Sequence, residues 1–229
     1  MGILEIFISS VKLIFSFDKL LFEIIFLSLR VSFTALFISS IFAIFLGYIL
    51  ALKNFYFKNI LIIFFNSLMG IPPVVVGLIV YFIFSNQGPL GILELLYTPT
   101  AMIIAQIIIV FPIVISLSYE VFSQNWKQYQ DHFRSLNVPS LGIMMTLIKN
   151  SYFVLITVLL SAFGRAISEV GAVMIVGGNI DHYTRVMTTA ITLETRMGNL
   201  EYAMALGLVL IFFTMIINAL VYLFNVKRR

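Results

Sequence analysis

Five uninterrupted apolar segments, over residues 31–52, 60–84, 101–119, 153–176 and 202–224, leave this chain little choice of solvent. Each is close to the roughly 20 residues that an α-helix, rising about 1.5 Å per residue, needs to cross about 30 Å of hydrocarbon. A water-soluble core could not hide so much apolar side chain, since 61% of the residues are hydrophobic and only 10% are charged, far from the usual soluble balance. The fold class is therefore all-α: a polytopic membrane protein with five transmembrane helices. With flanking residues the spans cover 24–52, 60–84, 100–121, 151–177 and 202–225, and residues 20–229 are expected to form a single membrane domain. Residues 1–19 carry Glu5 and Lys12 inside an apolar stretch with no small-residue cleavage site before Asp18 and Lys19. They read as a helix lying on membrane lipid at the interface rather than as a signal peptide.

Charge sorts the connecting segments. Lys53 and Lys58 follow the first span, Lys127, Arg134 and Lys149 follow the third, and Lys227, Arg228 and Arg229 end the sequence. The segment 85–100 has no Lys or Arg and carries Gly88, Pro89 and Gly91. The positive-inside rule then puts the N-terminus outside and the C-terminus in the cytoplasm. Arg185, Arg196, Lys12 and Lys19 run against the pattern but are accompanied by Asp181, Glu194 and Asp18. A net charge of +4, scattered along the chain, gives no basis for binding nucleic acid. With no cysteine, neither a disulfide framework nor a thiolate metal site can form.

Helix breakers stand inside two spans: the Gly70-Ile71-Pro72-Pro73 run in the second and Pro112 in the third. Each is expected to kink its helix, and the freed carbonyls need neighbouring helices or a water-filled cavity. In the fourth span Ser161, Gly164, Ser168 and Gly171 recur at i, i+3, i+7 and i+10, a face small enough for close helix packing. It suits packing within the chain as well as a dimer seam or a pore lining. Arg165 and Glu169 sit one turn apart in the same span, where an isolated charge costs at least a few kcal/mol. Arg before Glu is the weaker order for an i, i+4 pair, so stabilisation of the helix alone is a poor reason for the two charges. A structural or gating role is preferred over direct contact with a solute.

Between the third and fourth spans, residues 123–150 form a loop too long for so compact a chain to carry idly. Trp126, Tyr129, Phe133 and Leu136 fall on one stripe of a short amphipathic helix. Asn137-Val138-Pro139 breaks it, and Ser140 is placed to cap a second helix through Ile143, Met144, Leu147 and Ile148. This helix-turn-helix either rests on lipid headgroups or docks a soluble partner that accepts the turn in a groove.

The run Asp131-His132-Phe133-Arg134-Ser135-Leu136-Asn137 resembles the cytoplasmic motif of ABC importer permeases, Glu-Ala-Ala, two more residues, then Leu-Gly. Asp131 stands for the Glu, Asn137 for the Gly, and His132 and Phe133 replace the alanines. Asn, like Gly, tolerates a left-handed turn. The stretch from Ser161-Ala162-Phe163-Gly164-Arg165-Ala166-Ile167-Ser168-Glu169-Val170-Gly171 on to Gly178-Asn179-Ile180, with Arg185-Val186-Met187-Thr188-Thr189-Ala190-Ile191-Thr192, resembles the sulfate, molybdate and tungstate importers, most closely the tungstate-type permeases. The resemblance implies the type I, molybdate/methionine permease-like fold and a homodimer of this subunit in the cell membrane. It implies a cytoplasmic ATPase docked on Asp131, Phe133, Arg134, Leu136, Asn137 and Ile143, and an extracytoplasmic binding protein that delivers the oxyanion. Transport by alternating access would pass a path or gate at Gly164, Arg165, Ser168, Glu169 and Gly171.

No Gly-x-x-x-x-Gly-Lys-Ser/Thr loop is present, so ATP and Mg belong to the partner ATPase and this chain is expected to hold no cofactor and to be no enzyme. Arg185, Thr188, Thr189 and Thr192, after the fourth span, either meet the incoming anion or form the wet face of a short interfacial helix. Tungstate is the expected cargo, with molybdate or sulfate as alternatives. The rival class, an ion-coupled secondary transporter relaying charge through Arg165 and Glu169, would be expected to show two related halves, and no internal repeat is evident.

Overall fold

The computed structural model describes residues 2–226, apart from the side chains of Ile3, Asn225 and Val226, so that Lys227, Arg228 and Arg229 lie outside it. Ten α-helices follow one another, and no strand occurs among the described residues: α1 (Ile3–Phe15), α2 (Lys19–Leu52), α3 (Lys58–Leu68), α4 (Pro73–Phe84), α5 (Pro99–Ser135), α6 (Ser140–Asn150), α7 (Tyr152–Ile167), α8 (Gly171–Gly177), α9 (Met187–Met197) and α10 (Leu200–Val226). Three of them, α2, α5 and α10, are individually long and apolar enough to cross a membrane. Two bent pairs, α3 with α4 at 102° and α6 with α7 at 73°, raise the candidate spans to as many as five where each pair is taken as one span.

The pair α2 and α5 is the spine of the molecule, the two helices running in the same direction, with Val31 beside Met102 and Tyr48 beside Phe122. Small residues let their backbones approach, as expected where no hydrophobic drive separates helix from lipid. Ala35, Ala43, Ala101 and Ala105 are fully buried, and a Cβ on Gly47 would stand 3.0 Å from the Tyr119 amide nitrogen. At the α1 end of α2, Leu21, Ile24 and Ile25 pack with Ile167, Met187, Ala190 and Leu206 of α7, α9 and α10. Further along, Val31 joins Val76, Val80, Met102, Ala172 and Val176 of α4, α5 and α8. At the far end Tyr48 and Ala51 meet Phe122, Leu147 and Leu155 of α5, α6 and α7. Helix α1 packs against α10, where the Ser10 hydroxyl donates to the Glu201 carbonyl at 2.8 Å.

The Gly70-Ile71-Pro72-Pro73 run turns the chain, and Pro112 stands inside α5, which continues as helix on both sides of it. Three local expectations need correction. The amphipathic stripe of Trp126, Tyr129 and Phe133 is not a separate short helix: α5 runs on unbroken to Ser135, because the first breaking signal after residue 119 is Asn137-Val138-Pro139. Ser140 is not a cap, since Pro139 holds that position and no side-chain bond is made there. Finally, the fourth apolar segment is not one helix. It stops at Ile167 and restarts at Gly171, so the small face ends with Ser168. Gly164 lies toward Ile217 of α10, while Gly171 abuts Val74 of α4.

Candidate gate and docking end

The interruption of the fourth segment concentrates polar groups. Arg165 occupies the last turn of α7, and Glu169 lies beyond the helix end. The Ser168 hydroxyl donates back to the Gly164 carbonyl at 2.8 Å, a local competitor to the helix ladder. Glu169 then bridges both sides of the gap. Its Oε2 accepts from Arg165 Nη1 at 3.0 Å and its Oε1 accepts from the Ala172 amide, at the start of α8, at 3.1 Å. The Glu169 side chain is 3% exposed and that of Arg165 39%. Ionising a group at this depth is tolerable only with such partners.

Other elements fill the remaining valences. The Thr188 hydroxyl of α9 donates to the Glu169 carbonyl at 2.7 Å, and the Gln106 amide of α5 donates to the Ala166 carbonyl at 3.1 Å. Non-helical backbone at membrane depth is thereby satisfied by protein. Two close approaches hold α8 in place: a Cβ on Gly171 would stand 2.6 Å from Val74 Cγ2, and one on Gly77 would stand 2.7 Å from Ala172 Cα. The four elements α5, α7, α8 and α9 thus meet at Glu169, and Ser28 of α2 anchors the start of α9 by accepting from the Met187 amide at 2.7 Å.

Of the residues singled out in the sequence, the structure brings Gly164, Arg165, Ser168, Glu169 and Gly171 together around this junction. Thr188 joins them, buried rather than wet. Thr189 is also buried, its hydroxyl accepting from the Val186 amide at 3.1 Å, and the Thr192 hydroxyl donates to the Thr188 carbonyl at 3.0 Å. Arg185 is elsewhere. It pairs with Asp181 at 2.8 Å and lines a cavity of about 670 Å³ together with Glu23, Asp181, His182, Glu194 and Glu201. Carboxylates outnumber cations there, a poor lining for an anion. Gln106 and Ser28 were missed in the sequence. Gln106 left a usable signal, being the only carboxamide in the apolar segment 101–119.

The other end of the bundle carries the docking candidates and, with them, Lys53, Lys58, Lys127, Arg134 and Lys149. Asp131, Arg134, Leu136 and Asn137 are exposed, and Asn137 takes the left-handed conformation with φ of 50°. Phe133 and Ile143 are half-buried and pack on the cluster of Tyr48, Phe122 and Leu147. Phe133 also stacks on Trp126 with ring centroids 6.2 Å apart. The turn is braced from α2, where the Tyr48 hydroxyl donates to the Ser140 carbonyl at 2.8 Å.

Comparison with known proteins gives one family: residues 40–229 match the binding-protein-dependent transport system inner membrane component. The tungstate uptake system permease protein TupB of Peptoclostridium acidaminophilum is 43% identical over 96% of both chains. The "Probable anion ABC transporter permease protein" of Haloferax volcanii is 39% identical over 84% of this chain and 85% of its own. The tungstate uptake system permease protein TupB of Campylobacter jejuni is 39% identical over 72% of this chain and 69% of its own. A gathered, polar interruption in an apolar bundle and a braced turn at one end fit a transport component rather than an enzyme, and by these matches the chain belongs to the binding-protein-dependent transport system inner membrane components, the permease subunits of ABC importers.

Proposed function

We propose that this permease imports tungstate as a homodimer, driven by a cytoplasmic ATPase and supplied by an extracytoplasmic binding protein. The observation that carries the substrate is the 43% identity, over 96% of both chains, with a tungstate uptake permease. Molybdate and sulfate are the competing cargoes of like shape and charge. The ATPase docks on the turn formed by Asp131, Phe133, Arg134, Leu136, Asn137 and Ile143, and it holds the ATP and Mg. The excess of Lys and Arg at that end supports placing it in the cytoplasm, with the N-terminus outside and α1 along the interface. The path runs by the junction of Gly164, Arg165, Ser168, Glu169 and Gly171 rather than by Arg185, Thr188, Thr189 and Thr192: the three threonine hydroxyls already donate to carbonyls, and Arg185 is paired with Asp181 in a cavity where carboxylates outnumber cations.

The test is reconstitution of this chain with its ATPase and binding protein in liposomes, with ATP hydrolysis and uptake followed for tungstate, molybdate and sulfate at equal concentration. Tungstate is expected to stimulate both most strongly. A stronger response to molybdate or sulfate reassigns the cargo, and no response to any of the three rejects an oxyanion.

A further inference from the structure

The Arg165–Glu169 pair is lopsided. Both carboxylate oxygens of Glu169 are taken, one by the Ala172 amide and one by Arg165, and the group is almost wholly buried. Arg165 is 39% exposed, and of the five N–H donors that a guanidinium presents the Nη1 bond to Glu169 is the one made among the described residues. Arg165 stands in the last turn of α7, about 20 Å along the helix from Tyr152 at 1.5 Å per residue. A partly exposed Arg side chain at that depth does not face hydrocarbon chains without a heavy penalty. Its companions agree: Ser161, Arg165 and Ser168 recur at i, i+4 and i+7, one helix face, and all three reach the surface. That face is polar and looks onto water or onto a second copy.

We infer that Arg165 is the group an oxyanion touches in transit, and that Glu169 is a built-in counter-charge that keeps the contact weak. This rests on the reading of the chain as an oxyanion permease. The free guanidinium donors can take an anion's oxygens without displacing Glu169, which the Ala172 amide holds independently. An Arg alone in a low-dielectric passage would hold a dianion by strong charge-assisted bonds. Passage requires binding favourable enough to admit the ion and weak enough to release it, and a buried carboxylate 3.0 Å from the cation supplies that weakening.

The test uses the complete importer in proteoliposomes, with tungstate uptake and ATP hydrolysis measured together. Arg165→Gln is expected to lower the number of anions delivered per ATP hydrolysed by about tenfold or more, the scale of losing one charge-assisted bond, and Arg165→Lys is expected to restore part of it. Glu169→Gln keeps an acceptor for Ala172 but leaves the cation uncompensated. Tungstate on the release side should then inhibit uptake at about a tenfold lower concentration than in the wild type. An unchanged ratio in Arg165→Gln overturns the inference, including the case in which uptake and hydrolysis fall together. If Arg165→Gln does not assemble, an unshifted release-side inhibition in Glu169→Gln overturns it. A wild-type importer that moves no oxyanion strikes the functional reading instead.

Discussion

The hydroxyl of Thr188 donates to the main-chain carbonyl of Glu169 at 2.7 Å, across 19 residues of sequence and from a different helix. That carbonyl has left the helix ladder, and the hydroxyl replaces the amide it would have met. Thr188→Val keeps the shape and removes the donor, leaving a buried acceptor unsatisfied. The expected cost is about 1–3 kcal/mol, seen as a lower melting temperature in detergent, whereas Thr188→Ser should melt close to the wild type.

Gln106 makes a different prediction, because its Oε1 has no partner among the described residues while its Nε2 serves the Ala166 carbonyl. Gln106→Leu removes a bond but also removes an orphaned acceptor, and Ala166 still accepts from the Glu169 amide at 3.2 Å. The two effects offset, and a change of about 1 kcal/mol or less is expected. Gln106→Glu introduces a carboxylate with no cation assigned to it and should destabilise by several kcal/mol. Denaturation of both variants side by side checks the contrast.

These two residues also show where sequence reading stops. Apolar runs of the right length mark the spans because the bilayer fixes that length. The Gly70-Ile71-Pro72-Pro73 bend and the left-handed Asn137 were legible because Gly, Pro and Asn carry their backbone preferences with them. The break after Ile167 carries no such signal: Ser168-Glu169-Val170 contains no obligate breaker. It persists through Gln106 and Thr188, donors that are distant in sequence, and through the fit of Gly171 and Gly77 against Val74 and Ala172. Arg165 and Glu169 were noticed for their cost in a membrane, but the division of labour between them depends on exposure, which only the packed structure reveals.

Gly77 tests that fit. Gly77→Ala would drive a Cβ to within 2.7 Å of the Ala172 Cα, a backbone atom that cannot rotate away. Overpacking of this kind costs about 1–3 kcal/mol, and here it should also loosen α4 from α8. Gly207 in α10 is the control, since nothing stands within 4 Å of its Cβ position. Gly207→Ala should be neutral or stabilising by up to about 1 kcal/mol. A loss of stability there would mean that a second copy packs against that face.

At the docking end, Leu136 and Phe133 separate function from folding. Leu136 is 73% exposed, so Leu136→Asp should leave the melting temperature within the range of about 0.5 kcal/mol typical of surface changes and yet block co-purification of the ATPase. Phe133 stacks on Trp126 and supports the cluster of Tyr48 and Phe122. Phe133→Asp should therefore lower stability as well as docking. Equal retention of the ATPase by Leu136→Asp and the wild type would remove the turn from the interface.

The last prediction concerns pH. His182, in the connection between α8 and α9, places Nδ1 3.0 Å from Glu23 Oε2 of α2. That hydrogen bond first, and then the charges of Asp181 and Glu23, raise its pKa above the ordinary histidine value, against smaller opposing effects of burial and of Arg185. A raised pKa means that the folded state holds the proton more tightly than the unfolded chain does. The resulting stabilisation is complete below the unfolded value of about 6.5 and is lost as pH rises through the higher folded value. The melting temperature of the wild type should exceed that of His182→Gln most near pH 6, and the gap should close on the alkaline side of neutrality. The group is solvent-exposed, so salt should shrink the gap at every pH. A gap that persists unchanged to about pH 9, well above the range in which histidines ordinarily titrate, would mean that His182 acts through its fit in the loop and not through its charge.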